Sequence, residues 1–101
     1  MELKLNKDQV EALYQMVWIM SESPHFTHPV EPIILNEIQD VIEKKLHKTK
    51  VKLQLLASQF LVLFVKLNHF EFEHPYHRTV AINIVWQIDM QRINNSNGLK
   101  H

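Results

Sequence analysis

The chain has no cysteine among its 101 residues, which removes disulfides, thiolate nucleophiles, iron–sulfur ligation and every cysteine-containing zinc site. Glycine occurs once, at Gly98. Tight hairpin turns draw on positive-φ residues, so an all-β meander is disfavoured, and glycine-rich phosphate loops and a nucleophile elbow are excluded. The longest unbroken apolar run, Phe60–Val65, closes at Lys66, far short of the roughly 20 residues a membrane span needs. The start, Met1–Asn6, lacks the long uncharged run of a signal peptide. Net charge is zero, with 11 basic and 11 acidic residues, which argues against general phosphate neutralisation of nucleic acid. These absences lead us to expect a cytoplasmic domain with no membrane segment and no cofactor.

What is present reads as helix. Hydrophobic residues make up 46% of the chain, the composition of one globular domain. The four prolines, at 24, 29, 32 and 75, divide it into long proline-free segments. Residues 7–22 open on Asn6 and Gln9, spaced as a capping box, with Leu5 and Val10 at the positions of a hydrophobic staple. Residues 31–48 carry the stripe Ile34, Leu35, Ile38, Val41, Ile42 and Leu46, with Pro32 in the first turn. Residues 51–68 are apolar nearly all round, apart from the narrow line Lys52, Gln59 and Lys66, and predict a central helix.

Residues 78–93 are ambiguous. Val80, Ile82, Ile84, Trp86, Ile88 and Met90 alternate as a strand would, whereas Asn83, Gln87, Gln91 and Asn94 form a helical stripe. We expect an all-α, four-helix, up-down bundle over residues 1–93, built from two helical hairpins. The alternative is an α+β fold with residues 79–91 as a strand. Residues 94–101 read as a flexible tail. A faint repeat sets Phe26-x-His28-Pro29 against Phe72-x-His74-Pro75, 46 residues apart. The same shift overlays Tyr14 on Phe60 and Trp18 on Phe64.

Three features could carry function. Five of the seven histidines, His25, His28, His69, His74 and His77, fall in the two expected connections and are candidate metal ligands, with Glu71 and Glu73 nearby. No His-Glu-x-x-His or paired Glu-x-x-His motif supports them, and histidines beside proline also serve as helix caps. The stretch Lys44–Lys52 holds five lysines and no acid, and could meet phosphates. It has no arginine or aromatic for reading or stacking bases. The third feature is an apolar surplus that includes Tyr14, Trp18, Phe64 and Trp86, more than a small bundle can hide. The expectation is therefore a non-enzymatic interaction protein that self-associates, as a dimer, through an aromatic face. Metal binding by the loop histidines is the alternative, and docking of nucleic acid on the 44–52 lysines is a weaker one.

Overall fold

The computed structural model describes residues 2–22 and 28–98, with backbone alone for 94–98. In chain order the elements are β1 (Glu2–Asn6), α1 (Lys7–Glu22), α2 (Val30–Glu43), β2 (Lys50–Gln54), α3 (Ala57–His69) and α4 (Pro75–Gly98). The molecule is mostly helical, with one small two-stranded sheet. Residues 79–91 lie within α4 and are helix, not strand. The first expected helix, 7–22, matches α1.

The expected 51–68 helix needs correction, because its first turn is a strand and the helix starts at Ala57. Lys50-Val-Lys-Leu-Gln54 alternates polar and apolar, and Val51 and Leu53 are buried while Lys50, Lys52 and Gln54 are exposed. That is the period of a half-buried strand. Its partner is β1, antiparallel, with Leu3 opposite Leu53, Lys4 opposite Lys52 and Leu5 opposite Val51. The expected 31–48 helix ends earlier, at Glu43, and 44–47 form turns. α4 runs on to Gly98, into the segment expected as tail.

The order strand–helix–helix occurs twice, as β1-α1-α2 and β2-α3-α4. The strand register relates the halves by an approximate two-fold centred on the Lys4–Lys52 pair, because it exchanges Leu3–Leu53 with Val51–Leu5. Local signals recur as well. Asn6 and Gln9 form the capping box read from the sequence: the Gln9 N–H donates to Asn6 Oδ1 at 2.8 Å and the Asn6 N–H to Gln9 Oε1 at 2.9 Å. At the start of α3 the Leu56 N–H donates likewise to Gln59 Oε1, at 2.9 Å. The His-Pro repeat starts helices: His28 Nδ1 accepts the Val30 N–H at 3.1 Å, and His74 Nδ1 accepts the Tyr76 N–H at 3.2 Å. Proline follows each ring where its missing N–H is not needed.

α1 packs on α2 and α4, α2 also on α3, and α3 on α4. The core takes Leu3, Leu5, Val51 and Leu53 from the sheet, with Leu13, Met16, Ile38, Leu63, Ile84 and other apolar residues from the helices. α4 meets the outer edge of β1. There the Gln87 amide accepts the Lys4 N–H at 2.9 Å and donates to the Lys4 carbonyl at 3.0 Å. Gln91 does the same for Glu2, accepting its N–H at 3.1 Å and donating to its carbonyl at 2.5 Å. Two glutamines one helical turn apart thus stand in for a neighbouring strand, satisfying groups that a sheet edge leaves open.

Candidate interaction surface

The alternation in 80–90 resolves into two stripes on opposite faces of one helix. Val80, Ile84 and Ile88 are buried, each four residues from the next. Ile82, Trp86 and Met90 follow the same spacing half a turn away, and they are exposed, Ile82 at 71% and Trp86 at 60%. Ile93, also exposed, extends the outer stripe. A helix apolar on two faces normally has neighbours on both.

α3 is arranged in the same sense. Its polar line does not face water: Gln59 is buried, with its Nε2 donating to Glu37 Oε1 at 3.3 Å, and Lys66 Nζ meets Glu31 Oε2 at 2.6 Å. Both polar groups point at α2, so Leu61 (65% exposed) and Val65 are left outward. Glu31, in the first turn of α2, is buried in that pair. Between α3 and α4 runs an apolar seam. One end is a groove of about 480 Å³ bordered by Leu67, Phe70, Ile82, Val85 and Trp86, with Arg78 and Asp89 at its margin. The other end is a smaller hollow bordered by Leu61, Phe64, Ile88 and Arg92.

The four expected aromatics do not share one pocket. Trp86 lines the groove, and Phe64 lines the hollow, with the Arg92 guanidinium 5.2 Å from its ring centroid. Tyr14 and Trp18 line a separate depression on α1 with Gln15 and Ile19. Trp18 is 56% exposed, whereas half-buried Tyr14 packs against the core. The reading from composition missed Ile82, Met90, Ile93, Leu61 and Val65. The signal for the α4 residues was present as two interleaved series at i, i+4 spacing.

The histidines have separate roles. His25 lies outside the described residues. His28 and His74 cap helices, and His69 is exposed at the end of α3 with no polar or ring contact among the described residues. His77 is buried; its ring stands 4.9 Å from that of His74 and edge-on to Phe72 at 6.0 Å, and its Nε2 lies 3.2 Å from Gln15 Oε1. Burial, and second the charge of His74, hold its pKa below the usual 6.5. Asp8 and Glu11 border a hollow with His74 and His77, yet among the described residues no group of three or more His, Asp or Glu side chains is placed to share a metal ion.

The lysine stretch is split. Lys44 caps α2, Lys45 and Lys48 lie in the connection, and Lys50 and Lys52 are on the solvent face of β2 beside Lys4. None of these has an ion-pair partner among the described residues. No helix of the described residues is long and apolar enough to cross a membrane. Compared with protein-family models, curated proteins and solved structures, the chain matches none.

Proposed function

We propose that this chain is a non-enzymatic cytoplasmic interaction protein that self-associates as a two-fold dimer through the outer faces of α3 and α4. The observation that carries the reading is the second apolar stripe of α4, Ile82, Trp86, Met90 and Ile93, exposed as Leu61 and Val65 of α3 are. An exposed apolar stripe along one helix face marks an association site, whereas scattered single residues do not.

A second copy is the occupant that the face suits. It combines a ridge, Ile82 and Trp86, with a groove alongside, so a two-fold can seat each ridge in the other's groove. Its charges are of both signs, Asp89 with Arg78 and Arg92, and a second copy can pair them across the axis.

Sedimentation equilibrium tests the reading. The wild type is expected to be a dimer, and Trp86→Lys a folded monomer. A central tryptophan contributes about 2 kcal/mol or more at an interface, roughly thirtyfold in Kd. Trp18→Lys should leave the dimer unchanged. A wild type that stays monomeric at its highest soluble concentration, or a dimer indifferent to Trp86→Lys, overturns the proposal.

A further inference from the structure

We infer that the outer edge of β2 binds an extended acidic peptide as a third strand of the sheet. In an antiparallel pair, residues alternate between exchanging hydrogen bonds with the partner strand and pointing their N–H and C=O groups away from it. Glu2 and Lys4 spend theirs on Gln91 and Gln87 of α4, on the side away from β2. Their partners Gln54 and Lys52 therefore point away from β1, and Lys50 follows by alternation. No hydrogen bond among the described residues reaches the backbone groups of these three.

The two halves of the molecule differ here. α4, with 24 residues, reaches along β1 and supplies the two amides; α2, with 14, stops at Glu43. At the 46-residue offset of the His-Pro repeat, the positions matching Gln87 and Gln91 are Val41 and Lys45, neither of which carries an amide. Among the described residues one edge of the sheet is closed and the other stays open.

Charge selects the occupant. Side chains of even-numbered residues in both strands share the solvent face, because Leu3, Leu5, Val51 and Leu53 are buried. On that face Lys4 stands directly opposite Lys52, a like-charge cross-strand pair, and Lys50 is next along the strand. The one carboxylate in the ladder, Glu2, already accepts a hydrogen bond from Gln54 Nε2 at 2.5 Å. A second copy is a poor third strand, since an axis through Lys52 sets that residue against its own image. An acidic strand instead brings carboxylates to Lys50 and Lys52 while its backbone fills the open edge, the mode known as strand addition.

The test is titration of a capped peptide of alternating glutamate and valine into isotopically labelled protein, followed by amide exchange. Slowed exchange at Lys50, Lys52 and Gln54 is expected. Lys52→Glu should weaken binding about tenfold, as a lost charge-assisted contact does. Lys50→Glu is a second variant at an equally exposed position. The same peptide with alternate amides N-methylated should bind at least about tenfold more weakly, since strand addition depends on main-chain hydrogen bonds. The Trp86→Lys protein should bind the peptide as the wild type does, separating this site from the dimer face. Equal binding of the methylated peptide, or of one with lysine in place of glutamate, overturns the proposal. Protection confined to α3 and α4 does so too, as does displacement of the peptide by a tighter-binding single-stranded oligonucleotide.

Discussion

Replacing Gln91 by alanine tests whether α4 holds the first strand in place. The Gln91 amide makes two hydrogen bonds to the Glu2 backbone in a partly buried setting, and Gln87 makes two to Lys4 where water has readier access. A neutral hydrogen bond contributes about 1 kcal/mol net, and the loss is larger when the abandoned group is buried. Gln91→Ala should therefore cost about 2 kcal/mol and Gln87→Ala about 1 kcal/mol. Alanine is the better helix former by a few tenths of a kcal/mol, so both figures are net of a small gain. Because the residues hold one short strand, the double variant should fall short of the sum of the two. Gln91→Glu adds a sharper check: its carboxylate can still accept the Glu2 N–H but faces the Glu2 carbonyl with no proton to donate. At neutral pH it should be less stable than Gln91→Ala. Urea unfolding reads the stabilities, and amide exchange at Glu2 and Lys4 locates the effect. A Gln91→Ala protein within about 0.5 kcal/mol of wild type, the ordinary range of surface substitutions, or unchanged exchange at Glu2 and Lys4, would refute the reasoning.

Two further outcomes concern buried polar groups. His77 has a folded-state pKa below its unfolded 6.5, so the unfolded chain binds the proton first as pH falls. Stability should be full above about pH 6.5 and decline below it, and His77→Gln should flatten that decline in urea unfolding followed across pH. In the Glu31–Lys66 pair both side chains are largely removed from water, so Lys66→Met takes a cationic partner from a largely buried carboxylate. It should cost about 3 kcal/mol by thermal or urea unfolding, and adding Glu31→Gln should recover part of the loss.

The legible parts of the fold were those specified by near neighbours. Asn6, Gln9, Leu5 and Val10 predicted the start of α1 because capping and stapling are contacts between residues a turn apart. The strands were not legible in the same way. Leu3 and Leu5 alternate with polar residues, as do Val51 and Leu53, but a five-residue alternation becomes a strand only if a distant partner exists. Lys52 also fell in line with Gln59 and Lys66, which extended the α3 helix on paper across a strand. In α4 the two apolar stripes interleaved into a strand-like period, and only the position of the core separates buried Ile84 from exposed Trp86. The aromatic surplus could be counted from composition. Its division between α1 and the α3–α4 seam depends on where each helix presents its outer face.

The approximate two-fold makes the remaining asymmetry informative. The chain behaves as an internal pair whose strands already satisfy each other, so surface left open in one half and closed in the other is not imposed by the repeat itself. The second half supplies both differences: α4 is longer than α2 and covers the first half's strand, while β2 keeps an edge that no described residue covers. The same half presents Leu61, Val65, Ile82, Trp86 and Ile93 outward. Across the sheet the order is open edge, β2, β1, α4, because the α4 glutamines bond β1 on the side away from β2. The proposed peptide edge and the proposed dimer stripe thus lie on different elements, β2 and α4. Under the two proposals together a dimer carries two β2 edges, so that a ligand bearing two acidic segments gains from both at once.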